Sequence, residues 1–447
     1  MSASVALRSA SGSGASARAV MLDDRMVMMI RLDLDESAGL LTADALTLES
    51  GFRMACEKRL PIVGVLATTG VALDEGFDAI VAWGRAAHAL AGASGVVPIL
   101  FVVNGPVVAG PALLLGLADV SVFVEGAHAF VSGPGMVESY TGVPVTTSTL
   151  GGASAHARSS GVASLVVPDE ETALEYVSSI LSYLPDNVDR LPSMIDSDDP
   201  PDRPSEVAAN TIPDHPTGSY DVRTIIRDIA DDDEFLELRG SWAPNLVTGF
   251  CSIGGRPIGV VANQSQALAG SIDIPASQKG ARFVSMCDAF NVPLLTLVDT
   301  SGFLPGKDLE WRGMIRHGAQ LAFSYARATV PRVGLTLRKS YGGAYIVMDS
   351  RKMGSDLMLA WPSAEVAVMG AKGAVEILHR KATPEERVEL EADYEARYLS
   401  PYPTAERGSI SAVIDPLETR KVLAAAFDLL STKRERLRPR KHDNLPL

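Results

Sequence analysis

The stretch Pro331–Met348, PRVGLTLRKSYGGAYIVM, decides the fold. Its β-branched and Leu-rich start reads as a short buried strand, and Gly342-Gly343-Ala344 turns the chain tightly into a helix beginning near Ala344. The N–H groups of a helix's first turn have no partner within the helix and stand at the positive end of its dipole. Such a corner suits an oxyanion, although a plain strand-to-helix turn of an α/β layer has the same signature.

The corner is written twice. VPILFVVNGPVVAG (97–110) matches VPRVGLTLRKSYGG (330–343), with Pro98 and Gly110 spaced as Pro331 and Gly343 are. Upstream, CEKRLPIVGVLATTG (56–70) matches CDAFNVPLLTLVDTSG (287–302), where Pro61 and Gly70 are spaced as Pro293 and Gly302 are. The offsets are 293 − 61 = 232 and 331 − 98 = 233. Two unrelated spacings at nearly one offset identify a tandem duplication of one α/β unit. The first copy reads as strand, helix, strand in alternation: an apolar run within Met21–Asp35, a helix over Thr42–Lys58, the strand PIVGVLATTG and a helix over Phe77–Gly92. In the second copy, FCSIGGRPIGVVANQ reads as a hairpin across Gly254-Gly255.

A chain of 447 residues with 47% hydrophobic and 21% charged residues has room for two or three domains. Its net charge of -14 argues against nucleic acid or an anionic membrane as a partner, so a polyanionic ligand must be met locally. Cys56, Cys251 and Cys287 form no CxxC pair, which speaks against a disulfide framework or a zinc ribbon and for a reducing cytoplasm. No apolar run reaches the ~18 residues of a membrane span. Residues 1–19 are Ser-, Ala- and Gly-rich with two Arg and no acid, a composition shared by transit peptides and disordered tails; the lack of an amphipathic face favours a tail. The domains expected are residues 20–190, a Pro- and Asp-rich surface linker over 191–216, and residues 217–447. The Glu-rich span Thr383–Tyr398 reads as an exposed helix, and a basic tail runs from Lys433 to Lys441.

Side-chain catalysts are scarce. Seven histidines form no metal-ligand pair, and GxSxG, Walker and complete GxGxxG motifs are absent. His317, with Arg312 and Arg316 close by on one helix, reads as a helix histidine bonded to backbone or a neighbouring carboxylate, and Asp299 as the cap of the turn after VDT rather than a base. Two glycine corners without an acid, base or nucleophile suggest an enolate stabilised by backbone N–H groups, each worth about 3 to 4 kcal/mol. Thioester chemistry at the α-carbon of a coenzyme A ester has that need.

The runs VANQSQALAGSIDIPASQKGARFVSMCDAFNVPLLTLVDTSGFLPG, RHGAQLAFSYARATVPRVGLTLRKSYGGAYIVM, AWPSAEVAVMGAKGAVEI and RKHDNLPL resemble the carboxyltransferase (β) subunits of biotin-dependent acyl-CoA carboxylases. GPGMVESYTG and LGGASAHARSSGVA in the first half do so as well. The resemblance covers roughly Ser94–Leu447, with a divergent and shortened first half. It implies an α/β fold of tandem crotonase-like (ClpP/crotonase) β-β-α spiral domains. It also implies an enzyme taking CO2 from carboxybiotin, borne by a biotin carboxylase/biotin carboxyl carrier partner, to the α-carbon of an acyl-CoA, through enolates held in two oxyanion holes. Neither a metal, a membrane nor nucleic acid belongs to that chemistry, and the assembly expected is a hexamer of this chain or a hetero-oligomer with a related β subunit.

Carried over by position, Gly343 and Ala344 hold the biotin ureido oxygen, and Ala109 and Gly110 stand at the hole for the thioester carbonyl. Ile346 stands where the family tunes acyl length; an apolar residue there resembles subunits accepting acetyl-CoA as well as propionyl-CoA, and Asp resembles propionyl-selective ones. Tyr341, Gly342, Gly302, Phe303 and Gly370 complete the biotin side, and Gly133 and Pro134 the coenzyme A side. The departures fall in the first copy: Ala109-Gly110-Pro111 replaces Gly-Gly-Ala, so one N–H is lost, and Thr68-Thr69-Gly70-Val71-Ala72 replaces Ser-Gly-Gly-Ala-Arg. In the second copy Ser301 stands where the family usually has Pro. Two alternatives remain open: decarboxylation of a malonyl-type thioester, and a non-catalytic partner lending its biotin half to a mixed complex.

Overall fold

Ala15–Leu22 and Arg25–Leu32 pair as an antiparallel hairpin at the start of the chain, with Ala17 opposite Ile30. Val5–Leu7 adds a further strand to its edge. The computed structural model describes residues 5–7, 14–32, 39–215 and 217–446, and the expectation of a disordered tail over 1–19 fails wherever those residues are described. Small side chains are the reason. A Cβ at Gly51 of the helix Thr42–Lys58 would stand 2.7 Å from both Ala17 and Ile30, so glycine against alanine brings helix and hairpin close. The Asp44 carboxylate accepts the Ala15 N–H at 2.9 Å.

The chain divides into two compact units. One comprises the chain to Ser193 with Arg239–Trp242 and Ala289–Asn291; the other comprises Met194–Leu238, Ala243–Asp288 and the chain from Val292. Each holds an eight-stranded sheet of the same plan. In the first unit the hairpin is followed by parallel strands Ile62–Thr68, Ile99–Val108 and Val120–Val124, with Leu165–Val167 beyond. In the second, the hairpin Leu246–Ile253 and Arg256–Asn263 is followed by parallel Leu294–Thr300, Arg332–Tyr341 and Leu357–Ala360, with Ala412–Val413 beyond. Central strands buried on both faces explain the near-continuous apolar runs. Gly254 and Gly255, at φ 58° and 73°, make the two-residue turn read from the sequence.

The copies agree in detail. The register breaks between Leu66 and Thr68 in one sheet and between Val298 and Thr300 in the other, and isolated bridges join Leu40 to Val71 and Ile272 to Phe303. A short strand, His128–Phe130 or Glu365–Ala367, lies parallel to the end of the strand that leads into each corner. Phe52, Phe101 and Phe123 fill the first core, and Leu297, Leu337, Trp361 and Phe427 the second.

Of the expected surface linker over 191–216, the part from Met194 onwards groups with the second unit. Arg420, fully buried, donates to the carbonyls of Asp199 (3.2 Å), Pro200 (3.1 Å) and Ile229 (2.9 Å) and pairs with Asp231 at 2.7 Å. The Asp199–Pro200 segment thus runs over a guanidinium that needs its carbonyls. In the Glu-rich span a helix, Pro384–Tyr394, is closed by a Thr383/Glu386 capping box, and it buries no residue. No helix among the described residues is long and apolar enough to cross a membrane.

Candidate active site at two glycine corners

In the second unit the strand Arg332–Tyr341 passes through Gly342, at φ 57°, into the helix Gly342–Val347. A side chain at Gly342 would be strained by that φ and would meet the Val368 carbonyl at 3.1 Å. A Cβ on Gly343 would reach the Phe303 ring at 3.2 Å, and Ala344 is fully buried. Gly343 and Ala344 lie in the first turn, where N–H groups have no helical acceptor. Gly343 is itself exposed, and the Phe303 ring stands so close beside it that the corner depends on glycine.

Supporting residues fix this corner. Thr300 Oγ1 accepts the Gly302 N–H at 3.3 Å, and Gly302 takes φ 133° to bring Phe303 round. Thr300, not Asp299, caps that turn. Asp299 is buried, pairs with Arg338 at 3.0 Å, and accepts from the Tyr220 hydroxyl at 2.9 Å and the Lys339 N–H at 3.0 Å. It anchors the end of the strand entering the corner. Gly370 caps the next helix, and a Cβ there would stand 3.4 Å from the Tyr341 ring. The Tyr341 hydroxyl donates to Glu365; burial, then that carboxylate, pushes its pKa far up, which keeps it a neutral donor. Ile346 is 48% exposed, so it is free to line a substrate path. His317 is bonded, but to side-chain amides and not to backbone or a carboxylate as expected, with Nδ1 3.0 Å from Gln320 Oε1 and 3.3 Å from Gln278 Nε2.

The first unit repeats the geometry with different chemistry. Strand Ile99–Val108 leads to Ala109, at φ 61°, then Gly110 and Pro111, at φ -53° and ψ -32°. Ala109 therefore occupies the place of Gly342, Gly110 that of Gly343, and Pro111 that of Ala344. The expectation that Ala109 donates to a substrate oxygen needs correction: its N–H is bound to the Phe130 carbonyl at 3.0 Å, extending the strand pairing. The Ala112 and Leu113 N–H groups turn back to Ala109 and Gly110 at 3.1 and 3.0 Å. With no N–H on Pro111, Gly110 is left as the donor of this corner. Gly133 and Pro134 start a helix beside it: Gly133 is the N-cap of Pro134–Thr141, and a Cβ there would lie 3.3 Å from Phe130. In the replaced loop, Thr68 Oγ1 accepts the Gly70 N–H at 3.1 Å and Ala72 bonds the Leu40 carbonyl at 2.8 Å, so the turn survives without its Arg.

The first unit also holds a cleft of about 830 Å³, lined by His128, Thr146, Ser148, Ser154, Arg158 and Ser241 among others. Sequence reading missed it. Arg158, in the run LGGASAHARSSGVA, was its available signal. Among the described residues no three His, Cys, Asp or Glu side chains are grouped to hold a metal ion.

Comparison with known proteins agrees with this geometry. Residues 25–445 match the carboxyl transferase domain. The propionyl-CoA carboxylase beta chain of Roseobacter denitrificans is 42% identical over 88% of this chain and 78% of its own. The methylmalonyl-CoA decarboxylase subunit alpha of Veillonella parvula is 37% identical over 95% of this chain and 84% of its own. The crystal structure of the transcarboxylase 12S hexamer with methylmalonyl-coenzyme A and methylmalonic acid bound superposes with a TM-score of 0.94, at 36% identity over 97% of this chain and 85% of its own. Two crotonase-like units, each turning from a buried strand into a helix at such a corner, thus belong to an enzyme of the carboxyl transferase domain family, the carboxyltransferase subunits of biotin-dependent acyl-CoA carboxylases.

Proposed function

We propose that this chain carries CO2 from carboxybiotin on a separate carrier protein to the α-carbon of propionyl-CoA or a similarly short acyl-CoA, giving a methylmalonyl-CoA-type product. When bound, carboxybiotin supplies the CO2 and, once that is released, the base for the α-proton. Gly343 and Ala344 donate two N–H groups to the ureido oxygen. The corner fits that group, because its two first-turn N–H groups stand beside the Phe303 ring, which a side chain on Gly343 would crowd at 3.2 Å. Gly110 donates to the thioester oxygen and stabilises the enolate through one hydrogen bond where the other corner has two. Ala109 shapes that corner and Phe130 locks it. Arg158 and His128 in the adjoining cleft are placed to meet coenzyme A phosphates, and Ile346 sets acyl length.

The observation that carries the reading is the repeated corner: the same register break, the same bridge and the same strand-to-helix turn in both units. The partners proposed are a biotin carboxylase/carrier subunit and further copies of this chain or of a related β subunit, in the cytoplasm. The test is carboxylation of a panel of acyl-CoA esters with a matching biotin-carrying subunit, bicarbonate and ATP; no product from any ester defeats it. Similarity to a decarboxylase subunit across 95% of this chain favours a second reading, in which a methylmalonyl-type thioester gives up CO2 at the same corners. Net CO2 release from methylmalonyl-CoA without ATP selects that reading.

A further inference from the structure

The short strand His128–Phe130 has two edges, and its inner edge serves the acyl-CoA corner. There it lies parallel to Pro106–Val108, and the Phe130 carbonyl takes the Ala109 N–H at 3.0 Å. Successive carbonyls of a strand point to opposite edges, so the carbonyl of Ala129 points outward. Ala129 is buried, and its oxygen needs a donor on that side. The donor is a side chain: His156 Nε2 lies 2.7 Å from it. A carbonyl only accepts, so Nε2 carries the hydrogen.

His156 is held in place from several sides. Its Nδ1 is 2.7 Å from Ser160 Oγ, and its ring centre lies 5.4 Å from that of the buried Phe123. The Gly161 N–H reaches back five residues to the His156 carbonyl at 2.9 Å, which makes His156–Ser160 a π turn, a rare form that recurs at functional sites. The outer edge of the strand is closely packed around this bond. The Ala153 N–H donates to the Ala127 carbonyl at 3.0 Å, an antiparallel bridge joins His128 to Gly152, and a Cβ on Gly151 would stand 2.1 Å from the Ala129 oxygen.

We propose that His156 is a positioning residue for the acyl-CoA corner: by bonding the outer edge of His128–Phe130 it holds the strand where Phe130 fixes Ala109, and so sets the direction of the Gly110 N–H. The corner needs support from outside. Ala109 keeps φ 61° in spite of its methyl group, and Pro111 has no N–H to share the load. One donor, following a strained residue, therefore depends on the strand beside it. Both ring nitrogens of His156 face protein partners, so it acts through the strand and not as an acid or base.

The proposal rests on reading Gly110 as the donor to the thioester oxygen, and the test separates the two. His156→Gln can present an amide N–H near the place of Nε2, whereas the shorter His156→Asn reaches only the place of Nδ1. Amide exchange over 107–110 is followed in the full chain, with carboxyl transfer measured beside it. In His156→Asn the Ala129 carbonyl loses its donor, so exchange is expected to rise about tenfold and kcat to fall about tenfold at unchanged KM for the acyl ester. His156→Gln is expected to stay within about twofold of the wild type in both. Should His156→Asn not fold, Ser160→Ala, which frees only the Nδ1 end of the ring, is expected to raise exchange about threefold, and no rise overturns the proposal. Equal exchange in the wild type and His156→Asn, or an equal rise in the Asn and Gln variants, overturns it as well. A raised KM with kcat held overturns the positioning role, because His156 would then serve the binding of coenzyme A. A wild type with no carboxyl transfer overturns the function proposed above and leaves the exchange comparison to decide this one.

Discussion

Restoring the missing donor of the first corner is the sharpest perturbation. Pro111 lies in helical φ and ψ, so Pro111→Ala needs no backbone change and adds one N–H at the place held by Ala344 in the other corner. The Ala109 N–H is bound to Phe130, and the Ala112 and Leu113 N–H groups are turned back into the corner, so the substitution takes the donors from one to two. One oxyanion donor is worth roughly 10²–10³ in kcat, or about 3 to 4 kcal/mol. The variant is therefore expected to gain up to about 10²-fold in carboxylation of propionyl-CoA where enolate formation limits the rate. Its cost is about 0.4–1 kcal/mol from a freer unfolded chain, a fall of roughly 1–4 °C in Tm. The mirror variant Ala344→Pro removes a donor from the second corner, and kcat should fall by about 10²-fold. Steady-state assays of both variants beside the wild type decide the matter. Pro111→Ala with unchanged kcat and kcat/KM, in a chain whose Tm moves as stated, refutes the one-donor account of the acyl-CoA corner.

Ile346→Asp should lower kcat/KM for acetyl-CoA relative to propionyl-CoA by about tenfold, equivalent to ~1.4 kcal/mol; an unchanged ratio removes Ile346 from the acyl path. Arg158→Ala should raise KM for acyl-CoA about tenfold with kcat held, as expected when binding common to ground and transition states is lost, and a fall in kcat at constant KM contradicts that placement. Arg420→Met leaves Asp231 buried without its guanidinium, so unfolding by denaturant should show a loss of about 3–5 kcal/mol. A loss under 1 kcal/mol would mean that the Asp199–Pro200 segment does not depend on Arg420.

The duplication was legible because it leaves prolines and glycines at fixed offsets, and the sheets reproduce it residue for residue from Thr68 and Thr300 to the corners. The corner at Gly342 was legible for the same reason: glycine marks a conformation that other residues avoid. Ala109 was misjudged as a donor because its N–H is taken by a strand of three residues, His128–Phe130, too short to show any periodicity. Asp299 was misjudged because its partners, Arg338 and Tyr220, are set by strand order and not by spacing. The same holds for Arg420 and Asp231, separated by 189 positions, which turned an apparent linker into part of a packed unit. The strand Ala15–Leu22 looked featureless because alanine and serine suffice where a helix passes close.

Ala109 carries one more consequence. It holds φ 61° with a methyl group, at a cost on the order of 1 kcal/mol, in the place where Gly342 holds φ 57° for almost nothing. The bend is kept here without the residue that makes it easy. Shape at this corner is thus imposed from outside, by the paired strand and the bond to Phe130, while composition at the corner is free to drift. Two halves that began alike can then diverge in chemistry without diverging in form, one keeping its full set of donors and the other trading a donor for a ring.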